Sequence, residues 1–250
     1  MPPKFTDRLM SLDPQGFKAA TQHPWLRLIG QGKLPQDAQL QWLQQDRIYA
    51  LSYVAFVASL LAKVSIPTTS ERLTTLEWRI ADMLIEALDN IRRELGMFES
   101  ILKKHFDWGM TQESPKASTT TRIYQQLFAA ATTSNAPLVI GLAALWGTER
   151  CYLESWRFAK QQTSASTSPK TGYDVVGQVL IPNWTSTEFE SFVNDIGSLL
   201  NELAARSSTT DEDIGRCEEM WRQVLWCEER FWPEVQLPEE GAASKQVTNR

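Results

Sequence analysis

The chain has 250 residues, with 42% hydrophobic residues, 30 acidic against 25 basic side chains and a net charge of −5. That length and composition can bury a core of their own, and they exclude collagen-like, coiled-coil and disordered chains. With a pI near 5.2 and mixed charges there is no basic face to neutralise phosphates, so nucleic acid is not an expected partner.

Helical periodicity dominates and no period-two alternation is found, which predicts an all-α fold. After a short N-terminal arm, a helix is expected over about 15–22, then a short turn from Trp25 to Ile29 ended by Gly30 and Gly32. Pro35 opens a long helix to about Val64. Thr68 to Glu71 has capping-box spacing and predicts the start of a helix reaching about Phe106, kinked or divided near Gly96. Further helices are expected at about 118–133, 136–161, 186–206 and 211–232. The polar stretch 162–170 reads as a loop rather than a linker, because the two helices beyond it could not bury their apolar faces alone. One helical domain over 1–235 with a polar tail at 236–250 is therefore expected.

The first residues lack a signal-peptide apolar stretch, and no apolar run approaches the roughly 18 residues of a membrane span. The three cysteines, at 151, 217 and 227, form neither an even framework nor a metal-ligand spacing. A cytosolic protein without a membrane partner is expected. Ten tryptophans admit two readings, large side chains filling a helical core or an aromatic cage for a ligand.

A helix turns 100° per residue, so each acid can be placed relative to the apolar stripe of its helix. Trp42, Leu43, Tyr49, Ala50, Tyr53 and Val57 all fall within about 60° of Asp46. Leu142, Leu145, Trp146, Tyr152 and Trp156 surround Glu149 in the same way, and Trp221, Val224, Leu225, Phe231 and Trp232 surround Glu228. A buried carboxylate pairs, accepts strong hydrogen bonds or takes a raised pKa. One reading is buried hydrogen bonding to tyrosine hydroxyls or helix termini, or pairing with Arg72, Arg79 or Arg122. The functional reading is a shared polar pocket with walls from Tyr49, Tyr53, Tyr152, Trp156 and Phe231, suited to a flat, nitrogen-rich ligand.

Other chemistries lack their residues. The only histidines, His23 and His105, stand in no Glu-x-x-His or zinc-ligand spacing, so no metal and no cofactor is expected. His23, before Pro24, reads as a helix-end histidine, and it is the one evident axial candidate were haem bound. No catalytic-triad motif or Gly-rich phosphate loop is found. Cys151 falls away from the face of Glu149, Cys227 is peripheral to that of Glu228 and Cys217 is a turn or more distant, so all three read as structural rather than nucleophilic.

Several segments resemble the TenA family of thiaminase II-like proteins. They are His-Pro-Trp-Leu at 23–26, Trp-Leu-Gln-Gln-Asp at 42–46 with Tyr49, Tyr-Val-Ala-Phe-Val at 53–57 and Phe-Asp-Trp-Gly-Met at 106–110. The order continues with Leu-Trp-Gly-Thr-Glu-Arg-Cys-Tyr-Leu-Glu-Ser at 145–155, Asn-Trp-Thr-Ser-Thr-Glu-Phe at 183–189 and Glu-Glu-Arg-Phe-Trp at 228–232. The resemblance implies a haem-oxygenase-like helical bundle, found as a homodimer or homotetramer. Where the better-known branch has a catalytic cysteine this chain has Thr148, next to Glu149, and it is similar instead to the branch carrying a glutamate near that position. That branch implies hydrolysis of an aminopyrimidine or formylaminopyrimidine from thiamin breakdown. Carried over, Asp46 binds the pyrimidine, Glu228 serves as acid or base with Glu149 nearby, and Tyr49, Tyr124 and Tyr152 stack or hydrogen-bond. The alternative is a non-catalytic pyrimidine-binding or sensor protein on the same fold.

Overall fold

The computed structural model describes residues 3–108, 115–163 and 175–235. Among them no strand is formed, and no helix is long and apolar enough to cross a membrane. Gly109 and Met110, most of the polar stretch 162–170 and the tail 236–250 lie outside the described residues.

Three short helices open the fold: α1 (Phe5–Leu12), α2 (Pro14–Thr21) and α3 (Pro24–Gly30). The arm expected at the N-terminus is thus a helix. It is too short to hold by itself, and tertiary bonds support it: Thr6 N–H donates to Asn201 Oδ1 at 2.8 Å, while Asn201 Nδ2 donates to Thr6 Oγ1 at 3.1 Å. Asp13 and His23 cap α2 and α3, accepting from Gly16 N at 2.8 Å and Trp25 N at 3.2 Å, with proline first in each helix. Four long helices follow as α4 (Gln36–Ala62), α5 (Leu76–His105), α6 (Thr119–Thr132) and α7 (Leu138–Thr163).

Two expectations for α5 are corrected. The Thr68–Glu71 capping pattern starts no α-helix, because the residues just after it, Arg72–Thr74, are exposed and give no apolar stripe to bury. A 3-10 turn at Arg72–Thr74 fills the gap, and Thr75 caps the helix one residue before Leu76 opens the buried stripe. Nor is α5 divided at Gly96, since it runs unbroken from Leu76 to His105.

A π-helical turn at Val176–Leu180, which periodicity did not predict, runs into the one-turn helix α8 (Ile181–Trp184). Then come α9 (Thr187–Ala204), capped by Ser186, and α10 (Asp211–Phe231), where Thr210 and Asp213 form a reciprocal capping box.

Helix α7 is the axis of the bundle. Every residue from Val139 to Thr148 is buried, as expected of a helix packed on all sides. It packs against α2, α3, α4, α6, α8, α9 and α10. The tryptophans mainly fill this core: Trp156 stacks on Trp184 at 4.8 Å between centroids, and Trp25 lies 5.1 Å from both Trp42 and Trp232.

Gly30 lets α3 approach α7 so closely that a Cβ there would stand 2.2 Å from the Ala159 carbonyl oxygen. Since backbone must shift to relieve that clash, Gly30→Ala is expected to lower stability by about 1–3 kcal/mol, read from urea unfolding.

Candidate functional site

Four acids from four helices converge beside α7. Asp46 on α4, Glu94 on α5 and Glu228 on α10 are buried, and Glu149 on α7 is partly buried. Asp46, Glu94 and Glu149 line one cavity with Tyr49, Tyr53, Thr148, Tyr152 and Trp184. Its volume is about 30 Å³, room for ordered water. A heterocycle is several times larger than this volume.

Each acid has its own hydrogen-bond donor. Tyr152 O–H donates to Asp46 Oδ2 at 2.6 Å, Tyr53 O–H to Glu149 Oε1 at 2.5 Å, and Tyr124 O–H to Glu228 Oε1. The phenols are placed by helix periodicity: Tyr49 and Tyr53 follow Asp46 at three and seven residues, and Tyr152 follows Glu149 at three. Tyr49 stands at the centre, 5.0 Å from the Tyr124 ring and 5.7 Å from Phe231, and lines the cavity with Thr148.

Among the described residues, no arginine pairs with the three acids expected from sequence. Arg47 pairs with Glu99, Arg150 with Glu154 and Arg230 with Glu229, all away from the cavity. Arg79 pairs with Glu202 and Arg72 lies over Trp78. Burial therefore dominates their acidity, opposed by the tyrosine bonds and reinforced by the neighbouring carboxylates. The Asp46 carboxyl is pushed up to about 7, and those of Glu149 and Glu228 to about 8.

All the sequence-predicted site residues fall in this region, in two tiers. Asp46, Tyr49, Tyr53, Glu149 and Tyr152 line the cavity. Glu228, Tyr124 and Phe231 adjoin it behind Tyr49, while Trp156 lies in the tryptophan core, 6.2 Å from the Tyr152 ring. Sequence reasoning missed Glu94 and Trp184. The same rotational test finds Glu94, since Ala87, Ile91, Phe98 and Ile101 all lie within about 60° of it on α5. Trp184 gave no periodic signal, because its helix is a single turn.

The thiols stand apart from this chemistry. All three cysteines are free and buried, and burial pushes Cys217 and Cys227 up to about 12. Thr148 donates its hydroxyl to the Leu145 carbonyl at 3.0 Å. Among the described residues, no group of three or more His, Cys, Asp and Glu is arranged to hold a metal ion.

The raised acids fix the sign of the pH dependence of stability. Between about pH 4, where unfolded carboxyls ionise, and the native values of about 7 and 8, the folded chain holds protons that the unfolded chain has released. Stability therefore falls as pH rises across that window. Urea midpoints measured from pH 5 to pH 9 are expected to decline, and Glu149→Gln is expected to flatten the decline.

The chain matches the TENA/THI-4/PQQC family over residues 13–237. A Fusarium pseudograminearum protein described as a probable transcription factor is 25% identical over 265 residues, covering 94% of this chain and 52% of that protein, so the chain spans about half its length. A Glycine max protein described as a probable bifunctional TENA-E protein is 22% identical over 222 residues, covering 86% of each. Among solved structures, a TenA homologue from Pyrococcus furiosus superposes with a TM-score of 0.74 at 21% identity, covering 91% of this chain and 98% of that one. A TenA family transcription regulator from Silicibacter gives 0.73 at 18% identity, covering 92% and 95%. These neighbours have the haem-oxygenase-like helical fold. With the family match running from the capping residue of α2 past the end of α10, and all four acids within it, the chain belongs to the TENA/THI-4/PQQC family.

Proposed function

We propose that the chain is a metal-free hydrolase of an aminopyrimidine or formylaminopyrimidine breakdown product of thiamin, of the family branch in which a glutamate stands near the missing thiol. The observation that carries this reading is the gathering of Asp46, Glu149 and Glu228 around Tyr49 with no arginine paired to them among the described residues. The phenols now bonded to the acids are the donors that a ligand's amino group and protonated ring nitrogen replace, so a nitrogen-rich ring exchanges one set of hydrogen bonds for another. Asp46 takes the pyrimidine face, and Tyr49, Tyr124 and Tyr152 supply stacking and hydrogen bonds.

Glu149 and Glu228 divide the proton transfers. One accepts a proton as water adds to the carbon of the scissile C–N bond, and the other donates a proton to the departing nitrogen. Values of about 8 for both, coupled through the charges they share, allow one to be protonated while the other is ionised near neutral pH. Thr148, with its hydroxyl given to a main-chain carbonyl, supports hydrolysis by water rather than through a covalent intermediate.

A second reading is a pyrimidine sensor that binds and does not turn over. It draws on the absence of a thiol at the cavity and on relatives described as a probable transcription factor and a transcription regulator. Turnover of a formylaminopyrimidine by the pure protein separates the two. For a hydrolase, Glu149→Gln and Glu228→Gln each lower kcat about 100-fold or more, and Asp46→Asn mainly raises KM. Saturable binding with no product at any pH would establish the sensor.

A further inference from the structure

The fourth acid, Glu94, has surroundings unlike those of the other three. Its Oε1 accepts from Trp184 Nε1 and from Asn183 Nδ2, both at 3.0 Å, and Asn90 bonds it from one turn earlier on α5. Arg93 fixes the direction of both amides. Its guanidinium donates from Nη1 to Asn183 Oδ1 at 3.1 Å and from Nη2 to Asn90 Oδ1. A guanidinium has no acceptor, so both amide oxygens must face Arg93 and both NH2 groups are left for Glu94.

Every partner of Glu94 is thus a donor, and donors favour the ionised carboxylate. The phenols on Asp46, Glu149 and Glu228 are different, because a hydroxyl can donate to a carboxylate or accept from a carboxylic acid. Those three sites tolerate either protonation state, whereas at Glu94 burial pushes the carboxyl up and the donor shell opposes that push, favouring the anion.

We propose that Glu94 is a positioning residue of the site, a carboxylate whose charge is supported by the Trp184 indole and the Arg93-oriented amides and which, across the shared cavity, favours the protonated forms of Asp46 and Glu149 until a donor-rich or cationic ligand arrives. Its setting places the charge where this matters. Glu94 lines the same cavity as Asp46 and Glu149, and its charge raises the carboxyls of both. The groups facing it are Asn90 and Arg93 on α5, Asn183 and Trp184 on α8, Asp46 and Tyr53 on α4, and Glu149 and Tyr152 on α7. Only Arg93 among them is cationic, and it is turned to the amides on the far side. Trp184 also packs edge-on against Tyr152 at 5.0 Å, so the tether that holds Glu94 orients the phenol that serves Asp46.

This inference rests on the proposed function only for the identity of the ligand, and its test needs no turnover. Infrared difference titration of the ligand-free protein follows protonated carboxyls from pH 5 to pH 9, with Glu149→Gln identifying the Glu149 band. Glu94→Gln keeps the shape and the acceptor for Trp184 but removes the charge. It is expected to lower the Glu149 midpoint by about one pH unit, while Glu94→Asp, which retains the charge, leaves it nearly in place. Asn183→Ala, at a partly exposed position, removes one donor from Glu94 and is expected to move the midpoint the same way by less, which covers the case of a Glu94→Gln chain that does not fold. Midpoints unmoved in both Glu94→Gln and Asn183→Ala, or shifted alike by Glu94→Asp and Glu94→Gln, overturn the role given to Glu94. The titration result stands whether or not the wild-type protein hydrolyses a pyrimidine, so failure of one reading is distinguishable from failure of the other.

Discussion

Placing several carboxyl groups in one interior with, among the described residues, no ion pair to any of them is the constraint from which the rest follows. A single unpaired carboxylate in an apolar bundle is strongly disfavoured, and several together repel one another. The bundle answers with neutral hydrogen-bond donors rather than arginines: a tyrosine hydroxyl for each of Asp46, Glu149 and Glu228, and an indole with two amides for Glu94. Neutral donors leave the acids able to hold protons near neutral pH, which ion pairs would prevent.

That choice explains features of the architecture that otherwise look unrelated. Tyrosines cluster on α4, α6 and α7 because their hydroxyls must reach acids on neighbouring helices. The tryptophan core behind them supplies a rigid wall, since Trp184 is held at once by Glu94, by stacking on Trp156 and by edge contact with Tyr152. The arginines of the same helices are turned outward to Glu99, Glu154 and Glu229, so cationic charge stays away from the cavity. An interior arranged in this way favours ligands that bring hydrogen-bond donors and positive charge, and it disfavours anions.

Much of the site was legible in the sequence. A rotation of 100° per residue was enough to place Asp46, Glu149 and Glu228 inside apolar stripes, since a helix fixes the direction of each side chain relative to its own neighbours. Tyrosine hydroxyls bond each of the three acids, while only Asp46 and Glu149 line one cavity and Glu228 stands behind Tyr49. Glu94 carried the same rotational signal on α5. Trp184 could not be found this way, because a one-turn helix has no periodicity, and the five-residue π-helical turn escaped for the same reason. The Thr68–Glu71 pattern misled, because a capping signature starts a helix only where an apolar stripe follows to be buried.

The sequence by itself determined the all-α class, the buried faces of the long helices and which acids those faces carry, because these are properties of one chain segment and its period. Only the tertiary structure decided how the helices rotate about one another, and hence which phenol meets which carboxylate, where Arg93 directs two amides and how small the enclosed cavity is. Those relations join residues about 90 to 110 positions apart, and no local pattern encodes a distance between helices that packing alone sets.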